Sequence, residues 1–314
     1  MGKIKIVYLD AYPLEDIDLS PLAELGEFTE YHTTNPEDVI PRARYADVLI
    51  VNKVLVTKDV IDNLPELKLV CVSATGVNNV DVAYAEKKGI AVKNVPAYST
   101  DSVSEATVAY VFALLRNVVY YDRYVKNGSY SASGLTFHTS KSISEIKGKK
   151  WGIIGLGNIG RRVAEIATVL GAEVSYHSTS GKNTDGGYRH RYLEELLEES
   201  DIVSIHAPLN KSTEGLIGSN ELSVIKKTAI IVNMGRGGIV VEKDLAEALD
   251  NGRIAGAGLD VFEKEPLEAD NPLLKINCPD KLILAPHSGW ASREARELLV
   301  KKVAENIKKF YGIM

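Results

Sequence analysis

The chain predicts an α/β fold of two domains, each built on a parallel sheet, with the second domain inserted into the first. Short apolar runs alternate with polar, helix-patterned stretches along most of the sequence, which is the pattern of βαβ units. With 314 residues there is material for about two domains of ordinary size. A long, nearly all-apolar stretch after Pro96 separates two such α/β series, each opening on its own strand.

In the first series residues 4–9, 48–51, 68–72 and 91–92 read as strands, and residues 19–25, 58–64 and 80–88 as helices. Ser102-x-x-Glu105 then has the spacing of a capping box, and the helix it opens is expected to run to about Asn127. Val108, Val111, Leu115, Val118 and Val119 leave that helix apolar on almost every face, so it should lie buried between domains or subunits, as a dimer element. Residues 128–139 are loop-rich. From Lys149 a second series places strands near 150–154, 173–177, 202–206, 229–233, 256–260 and 282–285, with helices in the gaps. If the segments around Pro96 and Pro286 are paired hinges, the final helix, 292–311, returns to the first domain. The boundaries are then 1–98 with 289–314 for one domain and 99–288 for the other.

Composition excludes several classes. With 45% apolar and 25% charged residues the chain has the balance of ordinary globular proteins, unlike disordered or coiled-coil sequences. A net charge of −5 without a basic stripe argues against a nucleic-acid partner. The start carries Lys3 and Lys5 within an alternating run and lacks a signal peptide's apolar core, and no run is long enough to span a bilayer. A cytoplasmic protein with no membrane partner is expected. Cys71 and Cys278, both in strand-like runs, are too few for a disulfide framework, which suits a reducing compartment. His32, His138, His177 and His190 lack metal-ligand spacing, so no metal is expected.

Gly155-Leu156-Gly157-Asn158-Ile159-Gly160 follows a strand and opens a helix at 161–170. The first glycine allows the tight turn, the second lets a pyrophosphate approach the backbone, and the third lets helix pack on strand. In that context the motif makes the second domain Rossmann-like and dinucleotide-binding. The acidic residue that usually follows about twenty positions on is missing. The second strand ends instead in His177-Ser178-Thr179-Ser180-Gly181-Lys182, where hydroxyls and a lysine would tolerate a 2′-phosphate. NAD and NADP therefore both stay open, beside the plainer reading of a polar surface loop.

Arg236, Glu265 and His287 each lie just past the carboxyl end of an expected strand, where ligands of open α/β sheets bind. Any one of them alone is more often a solvated loop charge. Together they are a guanidinium, a carboxylate and an imidazole converging on one edge.

These motifs, with Ser73-Ala74-Thr75-Gly76-Val77-Asn78-Asn79-Val80-Asp81, Asn94-Val95-Pro96 leading to Ser102-Val103, His206-Ala207-Pro208-Leu209, residues 233–237, residues 260–266 and Pro286-His287-Ser288-Gly289-Trp290, run the length of the chain in order. In this the sequence resembles the D-isomer-specific 2-hydroxyacid dehydrogenases, and most closely their glycerate dehydrogenase or hydroxypyruvate reductase branch. The resemblance implies that His287 is the acid/base, Glu265 its partner and Arg236 the substrate anchor. Reduction of a 2-keto acid needs a proton on the carbonyl oxygen, which a histidine supplies near neutral pH, and a buried carboxylate favours its imidazolium form. Arg236 offers a planar fork for a carboxylate, and backbone N–H groups around Thr75, Gly76 and Val77 suit its other side, with Trp290 at the substrate's far end. The resemblance further assigns Val103, Asn158, Ile159, Ala207, Pro208, Thr213, Met234, Gly235, Asp260, His287 and Gly289 to the cofactor. His206 reads as a packing or cofactor-side histidine.

The implied activity is hydride transfer between NAD(H) or NADP(H) and a small D-2-hydroxy acid, with hydroxypyruvate and glyoxylate as best guesses for the keto acid, in a homodimer. Two alternatives stand beside it. One is a D-lactate dehydrogenase acting on pyruvate. The other is a dinucleotide-sensing, corepressor-like regulator, which the missing recruitment tails disfavour.

Overall fold

Parallel strands with helical crossovers account for both halves of the chain in the computed structural model, which describes residues 3–313. Two compact units divide it, one comprising the residues up to Ser99 and those from Ala291, the other Thr100–Trp290.

The first unit runs β1 (Lys5–Tyr8), α1 (Ser20–Ala23), β2 (Glu27–Glu30), α2 (Val39–Ala43), β3 (Val48–Val51), α3 (Lys58–Asp62), β4 (Leu69–Val72), α4 (Val82–Lys87) and β5 (Ala91–Lys93). Its strands are parallel, in the order β2-β1-β3-β4-β5. The order reverses between β1 and β3, so a crevice opens at their carboxyl ends. Every residue of β3 and β4 is buried, as expected of strands covered on both faces. Edge strand β2, with sequence EFTE, buries none of its residues fully, which is why periodicity alone passes over it.

The second unit begins with two helices. In place of one helix to Asn127, α5 (Thr100–Leu115) and α6 (Val118–Lys126) are separate. Asn117 between them is left-handed at φ 50°, and its side chain donates to the Ser142 carbonyl at 2.8 Å. Asparagine tolerates that conformation through such local bonds, so neither glycine nor proline is needed to break the helix. Nor does Ser102 cap: it sits inside the first turn of α5 and donates to the Gly289 carbonyl at 2.6 Å. α5 packs one side against the sheet and a following helix, burying Val103, Ser104, Thr107, Val111 and Leu115, while Asp101, Glu105, Ala109 and Phe112 stay exposed along the other. No residue of α6 is buried.

There follow α7 (Ser129–Ser133), β6 (Lys150–Ile154), α8 (Asn158–Val169), β7 (Glu173–His177), β8 (Arg189–His190), α9 (Leu193–Glu199), β9 (Ile202–Ile205), α10 (Ser219–Val224), β10 (Ile230–Asn233), α11 (Glu242–Asp250), β11 (Gly256–Leu259) and β12 (Leu282–Leu284). The strands are again parallel, ordered β12-β11-β10-β9-β6-β7-β8. Here the reversal lies between β6 and β9. Trp151, buried in β6, donates its indole N–H to Ser204 Oγ of β9 at 2.9 Å, satisfying the one polar atom of the largest fully buried side chain.

α12 (Arg293–Tyr311) completes the first unit. Ser292 caps it through Ala295 N, Gly312 ends it at φ 67°, and Leu299, Val300, Val303 and Ile307 form its buried face. Cys278 precedes a short 3-10 turn rather than lying in a strand, and both cysteines are free thiols. Among the described residues no single helix is long and apolar enough to cross a membrane.

Candidate active site

Each turn that follows a central strand of the second unit presents polar groups at the carboxyl edge of the sheet. After β6, Gly155 is held at φ 92°, where a side chain would strike the Ala207 backbone, and a Cβ on Gly160 would lie 2.2 Å from the Gly155 carbonyl. Gly157 differs, since a Cβ there would meet nothing within 4 Å. Two glycines are thus demanded by packing and the third faces open space at the amino end of α8, where Asn158 and Ile159 begin the helix. That is the arrangement a pyrophosphate needs, with N–H groups and the helix dipole directed at it.

At the tip of β7 Ser178 is buried and accepts from Asn183 N at 3.3 Å, while Thr179 is half-buried beside it. Residues 178–187 fold back on the glycine turn, since Asn183 Nδ2 donates to the Leu156 carbonyl at 3.2 Å and Arg161 Nη1 to the Gly186 carbonyl at 2.9 Å.

After β9, Ala207 is buried and Thr213 Oγ1 donates to the Pro208 carbonyl at 2.7 Å, closing the turn on itself. His206 has both ring nitrogens sealed from solvent with no hydrogen-bond partner among the described residues. Burial drives its pKa down to about 3, so the ring is neutral at working pH and unsuited to donate a proton there. After β10, Asn233 Oδ1 accepts from Gly235 N at 3.0 Å and its Nδ2 donates to the Arg236 carbonyl at 2.9 Å. The loop is thereby fixed around an exposed Arg236, whose Nη1 donates to the Gly235 carbonyl at 2.7 Å. Met234 and Val103 are buried in one apolar cluster, with Ile159 and Trp290 partly buried against it.

The ends of β11 and β12 carry the ionisable pair. His287 Nδ1 lies 2.8 Å from Glu265 Oε2, and Glu265 Oε1 accepts from Phe262 N at 3.2 Å. Both side chains keep partial access to solvent, at 25% and 30%. His287 is left-handed at φ 52°, unusual for a residue with a Cβ. Asp260 holds that turn: Oδ1 accepts from Ser288 N and Oδ2 from Gly289 N, each at 2.9 Å. Burial pushes the Asp260 carboxyl up while those two amides oppose the shift. With Nδ1 directed at Glu265, Nε2 is the ring nitrogen outside that pair.

In the first unit Thr75 and its neighbours form the turn after β4. Thr75 Oγ1 donates to the Val95 carbonyl at 3.1 Å and Asn94 Nδ2 to the Thr75 carbonyl at 2.6 Å. Thr75 is exposed, and Gly76 and Val77 are half-buried.

A sequence model described as the NAD binding domain of D-isomer specific 2-hydroxyacid dehydrogenases matches residues 108–289. The hydroxypyruvate reductase of Blautia hydrogenotrophica is 37% identical over 98% of this chain and 97% of its own length. The glyoxylate reductase of Aeropyrum pernix is 40% identical, with 93% and 88% covered. The chain belongs to the D-isomer-specific 2-hydroxyacid dehydrogenase family. As a D-2-hydroxyacid dehydrogenase it is a nicotinamide-dependent oxidoreductase. Among solved structures, an acyclic imino acid reductase in complex with NADPH and D-Arg aligns with a TM-score of 0.86 at 32% identity, covering 98% of this chain and 97% of that one.

Sequence reading of this dehydrogenase overlooks the residues that hold the site's loops. Besides Asn233, Glu242 at the start of α11 is buried, its Oε1 accepting from Glu263 N at 2.7 Å and its Oε2 from Asn271 Nδ2 at 2.5 Å. It braces both ends of the segment that carries Glu265. An acidic first-turn residue is ordinary helix grammar, so nothing local marks it.

Proposed function

We propose that this dehydrogenase reduces hydroxypyruvate and glyoxylate to D-glycerate and glycolate, with Arg236, Glu265 and His287 as its catalytic residues. The observation that carries the reading is the His287–Glu265 pair at 2.8 Å, one strand away from the exposed guanidinium of Arg236. Bound nicotinamide supplies the hydride that C2 of the keto acid receives. His287 gives the carbonyl oxygen its proton from Nε2, and Glu265 orients the ring. Arg236 binds the substrate carboxylate with its planar fork and polarises the keto oxygen. The amides of Thr75, Gly76 and Val77 suit a substrate carboxylate, and Trp290 borders the C3 substituent. The names of the Blautia and Aeropyrum relatives support this choice of substrates.

For the cofactor, Gly155, Gly157, Asn158, Ile159 and Gly160 take the pyrophosphate, while Val103, Ala207, Pro208, Thr213, Met234, Gly235, Asp260 and Gly289 surround the nicotinamide end. Ser178 and Thr179 take the adenosine ribose. Because no carboxylate stands at residues 178–182, NADPH is accepted as well as NADH. The active form is a cytoplasmic homodimer joined through α6 and the segment after it, where Val118, Val119, Val125, Leu135 and Phe137 are 51%, 52%, 54%, 62% and 82% exposed. Sedimentation should give a dimer that Val119→Asp converts to monomer.

Loss of reduced-nicotinamide absorbance with hydroxypyruvate, glyoxylate and pyruvate, each with NADH and with NADPH, tests the reading. The expected result is turnover with the first two, at the highest kcat/KM, with either cofactor. A preference for pyruvate would replace the substrate assignment, and no oxidation with any acid would overturn the activity.

A further inference from the structure

At the switch point of the first unit's sheet, the crevice between β1 and β3 is already occupied by the chain itself. Asp10, two residues past β1, is 5% exposed, and its carboxylate accepts three consecutive amides of the turn after β3. These are Asn52 N to Oδ1 at 2.7 Å, and Lys53 N and Val54 N to Oδ2 at 2.5 and 2.9 Å. Three successive N–H groups around one anion form a nest, the device by which folds of this topology hold a ligand's phosphate or carboxylate. Here an internal carboxylate fills it.

The nest continues as hydrogen bonds toward β4. Asn52 Nδ2 donates to the Ser73 carbonyl at 2.9 Å, Tyr8 donates its hydroxyl to Ser73 Oγ at 2.8 Å, and Ser73 Oγ donates to the Val51 carbonyl at 3.1 Å. Farther along, Asn79 Nδ2 donates to the Val54 carbonyl at 2.9 Å. The turn containing Thr75, Gly76 and Val77 is therefore tied at both ends, Ser73 and Asn79, to the turn that Asp10 anchors.

We propose that Asp10 is a positioning residue for substrate, acting through Asn52 and Ser73 to set the amides of Thr75–Val77 for the keto acid's carboxylate. The inference rests on the reading that those amides bind the carboxylate. An acceptor-only group is essential, because an amide or a void at Asp10 leaves buried N–H groups unsatisfied and the turn free to shift. A displaced turn weakens substrate and transition state alike, which raises KM and leaves kcat in place.

The experiment compares Asp10→Ala, isosteric Asp10→Asn and Gly76→Pro, which deletes one turn amide, in steady-state kinetics with glyoxylate and hydroxypyruvate. NADPH dissociation constants are measured alongside by protein fluorescence. Both Asp10 variants should raise KM about tenfold, the scale of one misplaced charge-assisted hydrogen bond, with kcat within about twofold and cofactor affinity unchanged. Formate, a carboxylate small enough for the emptied nest, should lower the KM of Asp10→Ala while only inhibiting the wild type. A kcat that falls at constant KM in both variants means Asp10 serves folding alone, and the proposal is wrong. If Gly76→Pro raises KM and the Asp10 variants do not, Asp10 is excluded while the carboxylate reading stands. If Gly76→Pro leaves KM unchanged, the carboxylate reading itself fails and takes this inference with it.

Discussion

In the proposed reaction His287 has two tasks that pull apart: stay accessible enough to reach substrate and stay oriented enough to deliver one proton. The structure divides the tasks, giving orientation to Glu265 through Nδ1 and the backbone turn to Asp260 through two amides. His287→Gln should lower kcat by about 10²–10⁴, the usual share of a general acid, with NADPH affinity unchanged by fluorescence titration. Arg236→Lys keeps the charge but loses the fork, so kcat/KM should fall on the order of a hundredfold. Near-normal hydroxypyruvate reduction in either variant would refute its role. His206 predicts the opposite kind of effect. Its folded pKa is depressed to about 3 from 6.5, so the unfolded chain binds the extra proton between those values and stability falls as pH drops through that window. Unfolding free energies from urea titrations across it should show a slope about 1.4 kcal/mol per pH unit shallower in His206→Asn. An unchanged slope would mean that the ring is protonated in the folded state. At this scale the candidate reactive groups could be named from the sequence, because their chemistry is in the side chains. Their holders, Asn233, Glu242 and Asp10, were not, since each acts on backbone that only the folded loop brings to it.

Among the elements, the apolar stretch after Pro96 shows where periodicity stops being informative. An apolar helix can pack inside one unit or form an interface; α5 buries one side within its unit and leaves the side with Phe112 exposed, whereas α6 buries no residue. The difference turns on one residue. Asn117→Val should destabilise the protein by about 1–2 kcal/mol in denaturant titrations, whereas Asn117→Gly should cost less, because only the β-branched side chain resists the left-handed conformation. Equal losses would mean that the bond to Ser142 matters more than the backbone. Gly237 couples two other loops, for a Cβ there would lie 1.7 Å from the Phe262 carbonyl. Gly237→Ala should therefore push aside the segment bearing Glu265, lowering kcat and melting temperature together. The glycine requirement of the 155–160 turn was readable from the motif. That of Gly237 depends on the chance approach of a second strand's loop.

For the whole molecule, the interrupted chain makes its own prediction. Ser102 and Gly289, near the two ends of the second unit, are joined by a hydrogen bond at 2.6 Å, and that unit has its own buried core. A fragment spanning residues 100–290 should fold alone, melt cooperatively and enhance NADPH fluorescence without reducing any keto acid. A fragment without a cooperative transition would show that its core needs the other unit. The sequence by itself determined the fold class, the parallel strands of both sheets apart from the edge strands β2 and β8, and the strand-end positions of Arg236, Glu265 and His287. Those follow from local periodicity and from glycine geometry, which act over a few residues. Tertiary structure alone decided that the helix after Pro96 breaks, that edge strand β2 exists, that His287 turns left-handed under the grip of Asp260, and that Asp10 fills the nest beside β3. Each depends on partners 25 to 42 residues apart or on a sheet edge, and no short-range pattern encodes which distant backbone amides a side chain will meet.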